Sequence, residues 1–317
     1  MPMPFNSAIE NSIQYLNSEQ AAQSIKLNAY WPKWNSPWWH MSLLFEMGLV
    51  DRIPKKTAAL MLSEIKRTHL PYFFREEAPL DKADFQEAPC PCSLGNIYQI
   101  LSATGLDVDA ELPWARGWFL KYQMPDGGLS CDEDAYKADA KASSLVGTIA
   151  PLEAILKTRN EFTAEEAQFL DRGAECLLHR ELRLGSPSQH NVEERLDEVD
   201  WLKLCFPRFY LYDVLRGLSF VLAWSEKRRQ PIRQQSIAHV VTHLTKEFEA
   251  SGPEQIRQMK MKRQSYEGVF DRKRHPASYF QLLNETSVIG QPSPFLTKQW
   301  LEAVALMGKL KAKGLLS

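Results

Sequence analysis

The sequence is poor in the features that sort proteins quickly, and each gap removes a class. No run of 18 apolar residues occurs anywhere in the 317-residue chain, so nothing is expected to span a membrane as a helix. The opening stretch MPMPFNSAIENS has neither the basic segment nor the apolar segment of a secretory leader. Neither charge sign is in excess, with 38 Lys and Arg against 39 Asp and Glu. A dedicated nucleic-acid binder carries a basic surplus on one face, so that class is set aside. Cysteine is scarce: five residues, an odd number without the spacing of a disulfide framework. Reduced thiols in a cytoplasmic protein are the reading that fits. Peripheral contact with a bilayer stays open. Strand-like alternation is also scarce, whereas helical spacing recurs throughout.

What is present is ordinary in bulk and ordered in detail. With 44% hydrophobic and 24% charged residues, the chain can bury one large core, and a single domain over residues 1–317 is expected. Two kinds of helical segment take turns. Amphipathic ones lie near 8–25, 54–69, 111–124, 163–182 and 231–248. In the last, Ile237, Val241, Leu244 and Phe248 recur at helical spacing behind Pro231. Thr163 and Glu166 form a capping-box pattern before Phe169, Leu170, Gly173, Ala174 and Leu177. The other kind is nearly free of charge, near 37–48, 91–104, 142–157, 208–224 and 294–308. ASSLVGTIAPLEAIL contains only Glu153, and FYLYDVLRGLSFVLAW only Asp213 and Arg216. A helix apolar all round must be covered on all sides. Alternating exposed and buried helices close into a double ring, an all-α α/α toroid with the buried helices inside.

RGWFLKYQMPDGGL, Arg116 to Leu129, resembles the QW repeat of terpenoid cyclases. Arg116-Gly117, Phe119-Leu120, Gln123 and Gly127 match, and Leu129 stands where Trp is usual. A degenerate echo is YEGVF, Tyr266 to Phe270. WPKWNSPWWHMSLLFEMGL, PCPCSLGNIYQILSATGL and CFPRFYLYDVLRGL resemble uncharacterised bacterial proteins of the squalene-cyclase and prenyltransferase-like superfamily, over about Trp31 to Leu306. The resemblance implies an α/α toroid and leaves activity open, because that fold hosts cyclases, protein prenyltransferases and non-enzymes.

Class II terpenoid cyclases protonate an alkene or epoxide with the third residue of an Asp-x-Asp-Asp motif. DEDA, Asp132 to Ala135, matches the first and third positions and lacks the fourth Asp. Crowded carboxylates raise one another's proton affinity, as a donor requires, so Asp132 and Asp134 are candidate acids. With Asp126 and Asp139 nearby, the same stretch reads equally as a solvated loop. Asp213 and Arg216 sit one turn apart in an apolar helix and should pair with each other or face a polar cavity. Asp213 is therefore a further catalytic candidate and Arg216 a substrate contact. The aromatics Trp31, Trp34, Trp38, Trp39, Phe206, Phe209, Tyr210, Tyr212 and Tyr279 gather near the same ends. As a set facing a cavity they suit a long isoprenoid and would steady a cation through their ring faces; singly, each reads as packing.

Cys90, Cys92, Cys131 and Cys205 stand at entrances to the buried helices, and His40 and His275 hold comparable places. Candidate binding residues are thus Trp38, Trp39, His40, Cys131, Tyr136, Phe209, Tyr210, Tyr212, Arg216 and His275. Protein prenyltransferases hold zinc at such a rim with an Asp-x-Cys and a later His. Cys90-Pro91-Cys92 copies that spacing without the Asp, so neither a metal nor a cofactor is assigned. The basic runs 226–235 and 256–264 read as solvated turns. The leading expectation is an isoprenoid or similar lipid held in a central apolar cavity, with acid-initiated cyclisation or isomerisation as its chemical form. Two alternatives stay beside it: a non-catalytic toroid acting as a binding or protein-interaction module, and zinc-dependent prenyl transfer.

Overall fold

The chain builds helices in the expected order. The structure, a computed structural model, describes residues 5–32, 34–79, 87–137, 141–187, 201–250, 264–265, 275–276 and 279–317. The echo at 266–270, Asp139, the side chain of His275 and all but the last residue of the run 256–264 lie outside the described residues.

In chain order the helices are α1 (Asn6–Leu16), α2 (Glu19–Leu27), α3 (Pro37–Glu46), α4 (Lys55–Thr68), α5 (Pro91–Ala103), α6 (Val108–Glu111), α7 (Ala115–Lys121), α8 (Asp134–Lys137), α9 (Leu145–Thr158), α10 (Ala164–His179), α11 (Val214–Arg228), α12 (Gln235–Ala250), α13 (Gln281–Thr286) and α14 (Pro294–Ala312). Gln264–Ser265 and His275–Pro276 form a two-residue antiparallel ladder. No helix among the described residues is long and apolar enough to cross a membrane.

Local chemistry sets the boundaries. Pro37, Pro91 and Pro294 open α3, α5 and α14, where the missing N–H has no helical partner to lose. The capping box at Thr163 and Glu166 is formed in full. The segment 8–25 divides in two because the Ser18 hydroxyl accepts the N–H of Ala21 and starts a new helix. The segment 111–124 divides at Pro113, which cannot continue α6. The expected start of the fourth buried helix near 208 is corrected to Val214. Asp213 is its N-cap, and Phe209 holds a left-handed φ of 56° that no helix accepts. Residues 205–213 are therefore a loop.

The packing is that of an α/α toroid. The helices α3, α5, α9, α11 and α14 follow one another, each against the next. The expected buried helix near 294–308 is corrected: α14 carries Lys298, Glu302, Lys309 and Lys311, buries only Leu296, Trp300, Ala303 and Leu310, and leaves Leu301 and Val304 exposed, so it packs on α11 by one face. α4 packs on α2, α10 on α9 and α11, and α12 on α11 and α10, as an outer layer. α5 and α9 are buried along almost their whole length, as helices without a polar face require. They approach most closely at Gly95, where a Cβ would lie 2.4 Å from the carbonyl carbon of Ala150.

The QW-like stretch is a clasp between neighbouring hairpins. The Gln123 amide donates to the carbonyls of Gly127 and Phe169 at 2.8 Å each. Arg172 on α10 donates back to Gln123 Oε1, Met124 O and Pro125 O. Gly127 has φ 93°, and a Cβ there would lie 2.2 Å from the Arg172 carbonyl oxygen. Leu129, in the place of the usual Trp, is fully buried.

Candidate functional site

α3, α5, α9, α11 and α14 all contribute to one cavity of about 420 Å³. α3 supplies Trp38, Trp39, Ser42 and Glu46; α5 supplies Ser93, Asn96 and Gln99. α9 gives Glu153 and Lys157, α11 gives Arg216, and α14 gives Phe295, Lys298, Gln299 and Glu302. The loop 205–213 adds Phe206, Arg208, Phe209 and Tyr210.

The wall has two characters. On one side the rings form a connected cluster. Trp39 meets Phe209 edge-on at 5.0 Å and Tyr210 at 6.1 Å, and Trp34 stacks behind Phe209 at 5.3 Å and Tyr210 at 5.9 Å. On the other side is an ionic network. Arg216 donates to Glu153 Oε2 from Nη2 at 2.5 Å and from Nε at 3.0 Å. Its Nη1 donates to the carbonyls of Phe209 and Leu211, and its Nη2 reaches Asn96 Oδ1 at 3.3 Å. Lys157 donates to Glu153 Oε1 at 3.0 Å. Burial pushes the Glu153 carboxyl up, but the charges of Arg216 and Lys157 outweigh it and hold it at about 2.

Glu46 ends α3 on the same wall. Its oxygens accept the N–H groups of Arg208 at 2.8 Å and Phe209 at 2.6 Å, which explains how Phe209 is kept in the left-handed region. Burial raises its carboxyl above the ordinary range, and those bonds with the charges of Arg208 and Arg216 offset the rise only in part. Arg208 bonds Asp213 at 2.6 Å and Gln299 at 2.8 Å. Its buried Nη2 has no partner among the described residues, leaving one donor on the cavity wall unused by them.

The expected site residues fall into three groups. Trp38, Trp39, Phe209, Tyr210 and Arg216 line the cavity. Asp213 and Arg216, expected to pair with each other or to face a polar cavity, do not pair through their side chains, and Arg216 faces the cavity. Asp213 is the N-cap of α11, accepting the Arg216 N–H while its other oxygen takes Arg208, so the Arg216 guanidinium turns to Glu153. Asp213 does not line the cavity, and neither do Asp132 and Asp134. The Asp132 carboxylate accepts the N–H of Asp134 at 3.0 Å, a local turn at the start of α8. Tyr212 donates to Leu182 O, and Tyr136 donates to Tyr122 O against Phe73 and Phe74; both are packing residues. His40 lies between Tyr15 and Phe280 and borders a separate space of about 310 Å³. Burial lowers its pKa to about 3.

The residues that sequence reasoning passed over are the polar ones of the wall. Glu153 is the only ionisable group in its segment, as Glu46 and His40 are the only ones in PWWHMSLLFEMG. The reasoning that singled out Asp213 and Arg216 applies to Glu46 and Glu153 without change.

Three cysteines meet beside the cavity. Cys90 is the N-cap of α5, Cys92 lies in its first turn, and Cys131 comes from the loop ahead of α9. Their sulfurs all lie within 4.8 Å of one another, with Cys90 and Cys92 at 3.2 Å. The thiols of Cys131 and Cys92, with the N–H groups of Cys92 and Ser93, hold Cys90 well below the usual thiol range despite burial. Ser93, next in the chain, lines the cavity, and Tyr30 on its wall is within electrostatic reach of all three sulfurs. Cys205, expected at the same rim, bonds through its backbone to Asp213 and is not in the group.

No family model matches the chain, and no curated protein matches it. Among solved structures, a type II terpene cyclase from Scytonema in complex with its product, merosterolic acid A, is similar at 12% identity and a TM-score of 0.29, covering 98% of this chain and 100% of that one. A likeness at that level leaves the fold to the helix order and packing described above.

Proposed function

We propose that this toroid binds an isoprenoid or similar lipid with a polar head in its central cavity. The observation that carries the reading is one enclosure whose wall is aromatic on one side and hydrogen-bonding on the other. The central cavity expected to be apolar has this second, polar wall as well. Aromatic faces suit an unsaturated chain, while fixed donors and acceptors orient a head. Lys157, Arg208, Arg216 and Lys298 stand against Glu46, Glu153 and Glu302. A head with strong charge of either sign finds little surplus to pair with, so an uncharged polar head, such as an alcohol or carbonyl, fits best. The unused Arg208 Nη2 offers such a head a donor. For an acid-initiated reaction, Glu46 is better placed than Asp132 or Asp134, because it lies on the wall and burial favours its protonated form.

Mass spectrometry of an organic extract of the purified protein tests this reading. A lipid near one per chain is expected from wild type and less from Ser42→Phe, which narrows the cavity, with circular dichroism unchanged. An empty wild-type extract, together with no tryptophan fluorescence response to a panel of polyprenyl alcohols, would overturn it and favour the interaction module.

A further inference from the structure

We propose that Cys90, Cys92 and Cys131 form a three-thiolate site for a soft divalent cation, zinc being the natural occupant. The three residues come from two separated stretches, and the fold brings them to one point. A spread of three sulfurs within 4.8 Å, with Cys90 and Cys92 at 3.2 Å, brackets what such a centre requires. Zinc–sulfur bonds of about 2.3 Å in tetrahedral geometry place sulfurs ~3.8 Å apart. Small side-chain rotations reach that spacing without moving α5. The 3.2 Å contact is far outside a covalent S–S bond, so the trio is three thiols.

The surroundings suit a cation. Cys90 and Cys92 are held by the start of α5, which is buried along its length. Cys131 is held by a loop tied on both sides: Leu129 O accepts the N–H of Ser144, and the Asp132 N–H donates to Ser130 Oγ. No fourth His, Cys or carboxylate joins the group among the described residues. Structural zinc sites are closed by four protein ligands, whereas sites with three keep a position for water or another small ligand. The trio therefore offers an open coordination position close to Ser93 and Tyr30 on the cavity wall. Binding converts thiols to thiolates, so each thiol that enters as its acid releases one proton to solvent and the cation takes its place.

The test uses the whole chain, reduced with a phosphine that does not compete for metal, and titrated with Co²⁺ alone. One equivalent is expected to give the near-ultraviolet sulfur-to-cobalt charge-transfer band and the visible bands of a tetrahedral centre, and Zn²⁺ should displace it. Cys90→Ser, Cys92→Ser and Cys131→Ser should each weaken binding by more than the roughly 10- to 100-fold that loss of a supporting partner costs. Cys176→Ser, remote from the trio beside Ser143, should bind as wild type does. Circular dichroism checks that each variant is folded. A wild-type chain without the charge-transfer band, or a folded Cys131→Ser variant that keeps it unchanged, overturns the site. Because the readout is spectroscopic, it succeeds or fails independently of lipid binding.

Discussion

At the scale of single residues, the buried polar groups decide most. Glu153 and Arg216 are both below a tenth exposed and bonded twice to each other. Removing one partner strands the other charge, so Glu153→Leu is expected to cost about 3–5 kcal/mol in chemical denaturation. Adding Arg216→Met should cost less than the sum of the singles, because the double variant leaves no buried charge unpaired; Lys157, which also loses Glu153, is half exposed. His40 gives a second test. Its ring nitrogens have no partner among the described residues, and its pKa is about 3 when folded against 6.5 unfolded. The unfolded chain therefore binds a proton that the folded chain refuses between those values. Through His40, stability is unaffected above about pH 6.5 and falls by about 1.4 kcal/mol per pH unit below it, until pH nears 3; His69, lowered by burial to about 4, adds a like fall between 6.5 and 4. His40→Phe should remove the first share and leave that of His69, and be neutral or stabilising at pH 7; an unchanged slope in urea unfolding from pH 6.5 to 4 would count against the assignment. Much of the wall was legible in the sequence as lone charges in apolar segments. Pairing was not: Asp213 lies one turn before Arg216 by sequence, and only the capping geometry reveals that its carboxylate serves Arg208 instead.

At the scale of elements, the tightest contact is between α5 and α9. Gly95 meets the backbone of Ala150 and Pro151, with a Cβ position 2.5 Å from the Pro151 nitrogen. Backbone cannot yield as a flexible side chain does, so Gly95→Ala must push the two helices apart. Overpacking of this kind costs about 1–3 kcal/mol, and here the upper end is expected, read as a lower midpoint in thermal unfolding. Ser42, Ser93 and Gln99 on the cavity wall should also shift, so ligand affinity should fall with stability. Gly117→Ala, where a Cβ meets nothing within 4 Å, is the control and should be neutral or slightly stabilising. The helix pattern was legible because α5 has no charged residue and α9 only Glu153 and Lys157, which leaves burial as the solution for both. The breaks were less so. Pro113 and Ser18 each interrupt a periodicity that, taken alone, runs through them.

At the scale of the molecule, loop 205–213 joins the two ends of the ring. Arg208 and Phe209 donate backbone N–H groups to Glu46, 162 and 163 residues earlier in the chain, and Arg208 reaches Gln299 on α14. Phe206 stacks on Phe295 with centroids 4.2 Å apart. Neither tie can be read from periodicity, since both depend on a non-helical stretch that helical spacing absorbs into the following helix. A row of stacked hairpins unfolds in steps, because each unit touches only its neighbours. Joining α3 to α14 through one loop removes the free ends. The single hydrophobic cluster from Ala8 to Leu316 adds to that coupling. One cooperative calorimetric transition is therefore expected, its calorimetric and van't Hoff enthalpies close to equal. Glu46→Ala unties α3 from the loop and leaves two buried N–H groups without acceptors, at about 1–3 kcal/mol each. It should broaden the transition or split it, as the ring returns to an open row. Glu46→Gln keeps an amide oxygen and should restore one of the two bonds, with an intermediate midpoint. A Glu46→Ala transition as sharp as wild type, merely moved to lower temperature, would show that the core closes the ring without this loop.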